Sequence, residues 1–508
     1  MSFDLSIPSQ LAGALLPELV LMGGAMLLLL VAAWGKETAE RSRTVAGLSI
    51  LLTLVTIAIV AWMWVSGAKA TPGIIAVDGF RWATDLVILI ATIIALALGL
   101  DYARVEQLVS GETYVLVLLA TAGMMLLTSA RDLIMVFLGI ELMSIAVYVL
   151  AGVNRRSAKS AEASLKYFLL GAFSTGFLLY GIALIYGATG STDLATIGTK
   201  VTGATIASAP MLLAGIALLL VGFGFKVAAV PFHMWTPDVY EGAPTPITAY
   251  MAAAVKAAAF AALFRVWREA FPGAFASWHL GLWWLAVVTM VVGNLVALVQ
   301  KNIKRMLAYS SIAHAGYLLV AVVANNQLGS AAFVYYVLAY TLATMGAFGV
   351  VIAVGEPGER HQQLSDFAGL WTVRPWLAAA MAVFMLALLG FPIAGGMGFF
   401  AKWYVLQAAL DAVHPETALA VVVVLTSVLS AGYYLAVVMV MFMRPRSADA
   451  PPLRPVRAPT FLVVYASAIV LIFFGIFPAG FVGLARVSVP SMAAAAPSSA
   501  PPTAVARR

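Results

Sequence analysis

Four lysines, Lys166, Lys226, Lys256 and Lys402, stand inside long apolar runs. A lysine at mid-bilayer costs ~2.5–3.5 kcal/mol on insertion scales, so each needs a reason to be there. One acid, Glu141, is similarly placed in Phe137-Leu138-Gly139-Ile140-Glu141-Leu142-Met143-Ser144. Burial disfavours a lysine's charged form and a neighbouring carboxylate favours it, so a row of such groups can hand protons along ordered water. Ser310, His314 and Tyr317, spaced i, i+4, i+7, share one helical face and add an imidazole. The expected chemistry is proton transfer across a membrane, relayed by Glu141, Lys226, Lys256 and Lys402, with Lys226 the expected ion-pair partner of Glu141. Lys166, His233, His314 and Tyr317 are further relay candidates.

The backbone around these residues is unusual. Pro231 has no N–H, so the carbonyl of Val227, next to Lys226, loses its helical partner. Pro237, Pro244 and Pro246 follow. Before Lys402 runs Gly390-Phe391-Pro392-Ile393-Ala394-Gly395-Gly396-Met397-Gly398. Non-helical backbone at membrane depth survives only when buried in protein or lining a wet cavity. Two broken segments in corresponding halves of a chain point to a transport path. Lys256 has ten residues before it and eleven after it in its own segment, too far from either end to snorkel. Lys166 lies near the start of its segment, where snorkelling is easier.

Composition sets the class. Of 508 residues, 63% are hydrophobic and 10% charged, and the mean hydropathy is +1.00. A soluble globular chain has about 45–50% apolar and about 25% charged residues, so that class is excluded. There is no cysteine, which removes disulfides, thiolate metal sites, iron–sulfur clusters and thiol nucleophiles; the 5 histidines are too scattered for a metal-ligand cluster. No nucleotide-binding glycine loop or hydrolase motif is present. The net charge of +7 comes from bases in short loops between apolar segments, which is topology, not a nucleic-acid surface.

A membrane-spanning helix needs ~20 mostly apolar residues. Fourteen segments qualify: 11–33, 43–65, 82–100, 113–129, 131–152, 163–187, 208–230, 246–267, 280–300, 303–324, 329–354, 373–408, 417–442 and 459–484. The twelfth is long enough for two half-helices around its break. No base precedes the first run, so it is expected to be kept as a membrane helix. With the N-terminus outside, cytoplasmic loops hold 16 bases and the other side 9, which predicts both termini periplasmic and leaves the four lysines in the membrane. Ser144-Ile145-Ala146 recurs as Ser311-Ile312-Ala313, and Ala163, Tyr167 and Leu170 recur as Ala331, Tyr335 and Leu338. The offset is five segments, and an odd number inverts the second unit. The expected organisation is a three-helix segment (1–112), inverted repeats at 113–267 (helices 4–8) and 280–442 (helices 9–13), a last helix (459–484) and a flexible tail (487–508). The fold class is an all-α polytopic membrane protein of about fourteen helices.

The run Gly139 to Ser144, the segment-6 start Leu165-Lys166-Tyr167-Phe168, and the block from Lys226-Val-Ala-Ala-Val-Pro-Phe-His233 through to Pro246 carry a family resemblance. The chain resembles the antiporter-like membrane subunits of respiratory complex I, the proton-translocating NADH:quinone oxidoreductase, and within them the subunit N branch. A lysine on the twelfth helix fits that branch, where subunit M has a glutamate, and there is no long lateral helix of the subunit L kind. The resemblance implies fourteen helices, broken helices 7 and 12, inverted repeats 4–8 and 9–13, and a bacterial inner-membrane location. It implies a Glu141–Lys226 ion pair, Lys256 as central link and Lys402 as exit lysine. It also implies no redox centre in this chain. FMN, iron–sulfur clusters and quinone would lie in partner subunits; small helical subunits and subunit M would be neighbours, with the peripheral arm coupled indirectly. The alternative is a subunit of a multisubunit cation/proton antiporter.

Overall fold

The computed structural model describes residues 6–34, 38–67, 73–202, 209–392, 396–447 and 452–478, with Gly483 and Ala485. The middle of the second break (393–395), the tail (487–508) and both chain ends lie outside these residues.

Among the described residues thirteen helices are long and apolar enough to cross a membrane. They are α1 (Leu16–Ala33), α2 (Ala39–Val65), α3 (Gly79–Val105), α4 (Glu112–Ser129), α5 (Leu133–Ala151), α6 (Ala158–Thr189), α7 (Pro210–Val227), α8 (Thr245–Ala270), α9 (Pro272–Ala297), α10 (Ile303–Val323), α11 (Gln327–Val354), α13 (Thr417–Met443) and α14 (Ala458–Ile476). Two 15-residue helices, α12a (Pro375–Leu389) and α12b (Gly396–Leu410), occupy the expected broken segment. At 1.5 Å per residue each is about 22 Å long, short of the ~30 Å hydrocarbon core, so only the pair completes a crossing. The chain is a multi-pass membrane protein.

Helix starts are set by side chains that accept the first free N–H groups. Asp78 caps α3, Asp132 caps α5, Asn302 caps α10 and Asn326 caps α11, at 2.7–3.1 Å. α7 stops one residue after Lys226, where Ala228 turns left-handed (φ 60°), and α12a stops at Gly390 (φ 82°). At the centre, α8, α10 and α11 are almost wholly enclosed, while α1, α2, α13 and α14 turn most of their surface outward. The long apolar faces of these outer helices point out of the bundle.

One backbone lock occurs twice. Leu133 N donates to Thr192 O and Leu194 N to Arg131 O, both at 2.9 Å. In the second half, Ile303 N donates to Gln362 O and Leu364 N to Lys301 O, both at 2.8 Å. Each lock ties the start of one helix (α5, α10) to the loop after the next (α6, α11). Equivalent close approaches accompany them. A Cβ on Gly123 would sit 2.5 Å from Met143 N, and one on Gly293 2.6 Å from Ala313 N, so only glycine lets α4 meet α5, and α9 meet α10, at this distance.

The inventory of buried bases needs correction. Arg81 and Arg265, two of the nine bases counted on the outer side, are fully buried, and so is Lys304 at the start of α10, one of the sixteen counted in cytoplasmic loops. Arg81 meets Glu18 at 2.6 Å and Asp85 at 3.4 Å, and these two acids are buried with it. Arg265 makes a two-pronged bond to Asp78 (2.7 and 3.0 Å) and also holds Glu269 at 2.9 Å. Lys304 and Gln362 both donate to Glu359 Oε2, while Thr245 at the start of α8 donates its N–H and hydroxyl to Oε1. The loop after α11 thereby caps the helix that carries Lys256.

Burial alone would raise the Asp78 carboxyl, but the Arg265 guanidinium outweighs it and holds the group below its ordinary value. A depressed folded value means the stabilisation is complete above the unfolded value and lost as pH falls through the folded one. Asp78→Asn should therefore lower thermal stability at neutral pH by about 2 kcal/mol, the scale of a hydrogen bond to a charged group, since Arg265 keeps Glu269. It should also flatten the loss of stability that the wild type shows below about pH 4. Melting curves of the purified assembly against pH check this; parallel curves would refute it.

Candidate functional site

Lys226 occupies the last turn of α7 and is 3% exposed. Its Nζ donates to Ser144 Oγ at 2.7 Å and Tyr148 OH at 3.0 Å, two groups one turn apart on α5. The Tyr148 and Tyr167 rings stand 5.2 and 5.9 Å from the amine, so π faces and hydroxyls surround the cation. The expected ion pair with Glu141 is not formed. Among the described residues no basic nitrogen lies within 4.0 Å of the Glu141 carboxylate, and the side chain is only half-buried. Ser144 and Tyr148 lie three and seven residues further along the same face of α5 and take the bonds instead.

Ser144 and Tyr148 share the amine, so removing one hydroxyl leaves the other. Ser144→Ala should reduce proton transfer by about fivefold, the equivalent of one net hydrogen bond of ~1 kcal/mol, without abolishing it. Initial rates of substrate-driven acidification in reconstituted vesicles measure this; an unchanged rate removes Ser144 from the path.

Lys256 is 2% exposed and follows a π-helical turn, Met251–Val255, that interrupts α8. Such turns carry one extra residue and recur at functional sites. The sequence Met-Ala-Ala-Ala-Val gives no hint of it, because small apolar residues fit an α-turn equally well. The Lys256 amine donates to Ser311 O at 2.6 Å and also bonds Ser311 Oγ.

From Ser311 the polar line continues along α10. His314 is three residues on, and its ring nitrogens contact Tyr336 OH (Nδ1, 2.6 Å) and Tyr434 OH (Nε2, 3.1 Å). Tyr434 also bonds Ser310. One imidazole nitrogen donates and the other accepts in the neutral ring, so His314 joins two hydroxyls in series. Tyr317, three residues further, presents its ring 4.6 Å from Lys402 Nζ, and its hydroxyl accepts from Asn294 Nδ2 at 3.2 Å. Lys402 is 9% exposed and donates to Leu389 O at 2.9 Å. Leu389 ends α12a, so its carbonyl has no intrahelical donor, and the negative end of that helix favours an ammonium there. The break expected before Lys402 thus supplies its hydrogen-bond acceptor.

Two candidates stand apart. Lys166 has 41% of its side chain exposed and is bonded to Glu162 (2.6 Å) and Asp238 (2.9 Å). Asp238 is shared with Arg305 at 2.8 Å, and Glu241 joins Arg305 to Lys159. This is a lattice of exposed ion pairs at one end of the bundle, separate from Lys226. His233 is half-buried on the link between α7 and the short helix Thr236–Gly242, with Nδ1 unbonded among the described residues. Among the described residues no group of three or more His, Asp or Glu could hold a metal ion. The residues that sequence reasoning missed are Tyr148, Asn294 and Tyr434, together with Ser144 and Ser311 as amine acceptors. The repeated Ser-Ile-Ala marked both serines, but nothing local marked the other three.

The description "NADH:quinone oxidoreductase/Mrp antiporter, TM" matches residues 130–430. NADH-quinone oxidoreductase subunit N of Gemmatimonas aurantiaca is 56% identical over 485 residues, covering 93% of this chain and 92% of that protein. The chain belongs to the subunit N family of NADH-quinone oxidoreductases. Subunit N of Trichlorobacter lovleyi is 45% identical over 479 residues, 94% of this chain and 96% of that one. A chain of respiratory complex I from Thermus thermophilus superposes with a TM-score of 0.77 at 36% identity, covering 92% of this chain and 99% of its own length. A chain of the Mrp complex from a Dietzia species gives a TM-score of 0.81 at 23% identity, over 93% of this chain and 97% of that one, a likeness of fold alone.

Proposed function

We propose that this subunit N family member moves protons across the membrane as part of an NADH-quinone oxidoreductase, driven by quinone reduction in other subunits. The reading rests on one observation above the others. Three amines in the membrane interior, Lys226, Lys256 and Lys402, are held by neutral oxygens, with no carboxylate within 4.0 Å among the described residues. An ammonium held in this way can give up its proton and still have its neighbours satisfied by the amine. Glu141 feeds the first half through Ser144, water links Lys226 to Lys256, and Ser311, His314 and Tyr317 lead to Lys402. Lys166 and His233 serve the entry side. The twin locks and the paired glycine contacts support inverted repeats at 113–267 and 280–442, each holding one broken crossing.

Both termini face the periplasm of a bacterial inner membrane in this reading. FMN, iron–sulfur clusters and quinone belong to partner subunits, with small helical subunits and subunit M as neighbours. A tagged chain should co-purify with flavin- and iron–sulfur-bearing subunits and with NADH-driven proton movement. Purification instead as a flavin-free assembly exchanging cations for protons would establish the antiporter reading. A periplasm-specific reporter fused after Arg508 should be active; activity of only a cytoplasmic reporter would reverse the topology.

A further inference from the structure

At the end of the bundle where α2 and α14 begin and α3 ends, a cavity of about 610 Å3 opens among these three helices. A second hollow of about 350 Å3 adjoins it, and Asp101, Arg104 and Arg457 line both. Arg43 on α2, Arg104 in the last turn of α3 and Arg457 at the start of α14 stand around the first; Arg454 stands at the second. Among the described residues none of the four has a carboxylate within 4.0 Å. The acid that could have neutralised them, Asp101, is buried and engaged: its Oδ2 accepts from Thr460 N (3.1 Å) and Oγ1 (2.6 Å). The remaining walls are mostly apolar, with Leu100, Leu108, Val109 and Tyr114 beside the polar Ser42 and Gln107.

We infer that this cavity binds an anionic diacyl phospholipid, its phosphodiester headgroup held by Arg43, Arg104 and Arg457 and its acyl chains against Leu100, Leu108 and Val109. Charge complementarity selects the occupant. Unpaired guanidiniums at the mouth call for an anion with several oxygens, and arginine matches phosphate in two-pronged geometry. Basic pockets between membrane helices are suited to anionic lipid headgroups. The 19-residue helix α14 starts at the rim, and its positive end adds to the field. A free phosphate would use the arginines but leave the apolar walls uncovered, so the lipid is the source that satisfies both.

The test uses the intact membrane assembly and a photoactivatable phosphatidylglycerol with the reactive group on an acyl chain. The probe should label peptides containing Leu108 and Val109, and unlabelled phosphatidylglycerol should compete where phosphatidylcholine and inorganic phosphate do not. Arg104→Gln with Arg457→Gln should lower labelling at least about tenfold, since each base near a membrane surface contributes substantially to anionic-lipid attraction. Arg104→Lys with Arg457→Lys should retain most of it. Equal labelling by a phosphatidylcholine probe, unchanged labelling in the glutamine variant, or competition by inorganic phosphate alone overturns the proposal. So does crosslinking of these peptides only to another protein. If the glutamine variant fails to assemble, the competition series on the wild type decides.

Discussion

Lys226→Ala should assemble normally and lose both quinone reductase activity and proton pumping, each by at least about tenfold, within the range for deleting a positioned proton-transfer group. The structural loss is limited. Truncation strands the Tyr148 hydroxyl, at about 1–3 kcal/mol for a buried polar group left unmade, while the Ser144 hydroxyl keeps its bond to Ile140 O. The fold around them is held by the α4–α5 contact at Gly123 and by the lock at Asp132, neither of which touches the lysine. Native gels should show a normal amount of assembly, while a pH-sensitive dye in closed vesicles should show the missing translocation. An alanine variant that pumps at the wild-type rate would remove Lys226 from the path.

Lys402 separates deprotonation from fixed charge. Lys402→Met should abolish translocation, because among the described residues no other titratable group bonds the Leu389 carbonyl. Lys402→Arg should be as inactive, since a guanidinium holds its proton under all working conditions. Lys402→Glu keeps a titratable group and should retain partial function. The carboxylate would sit at the negative end of α12a, so its retained activity should stay below that of lysine. Movement of charge near this exit is worth ~2.3 kcal/mol per charge per 100 mV, so the wild-type rate should fall as the opposing voltage rises. Wild-type pumping by the arginine variant would make Lys402 a structural cation.

The membrane helices were legible because a 20-residue apolar run leaves the chain few alternatives. Their ends were less so. α6 begins at Ala158, five residues before the expected start, because Lys159 and Glu162 are charged residues in the helix's exposed first turns. The described helix α14 ends at Ile476, and most of the expected stretch beyond it lies outside the described residues. The buried lysines were legible as individual residues, but their partners were not. Tyr434 reaches His314 across 120 residues and Arg265 reaches Asp78 across 187, and no local pattern encodes such distances. An arginine beside a segment reads as a loop residue until its acid is found, which is why Arg81 and Arg265 were misplaced. Glu141 shows the converse. Its place in an apolar run suggested a pair with Lys226, yet two hydroxyls further along α5 hold the amine in its place.

The extra residue in the Met251–Val255 turn sets a phase. In α8, Tyr250 before the turn bonds Thr121 on α4, while Lys256 and Arg265 after it bond Ser311 on α10 and Asp78 ahead of α3. One residue of α-helix is about 100° of rotation, so two sets of partners an uninterrupted helix would present out of register are brought into register by a single insertion. Deleting one alanine from 252–254 would leave a smoother helix of nearly unchanged composition. It would either swing Lys256 and Arg265 together off Ser311 and Asp78 or pull Tyr250 off Thr121, because a rigid rod cannot keep both ends indexed. The length of α8, counted in single residues, is therefore as much a part of the proposed proton path as the lysine it carries.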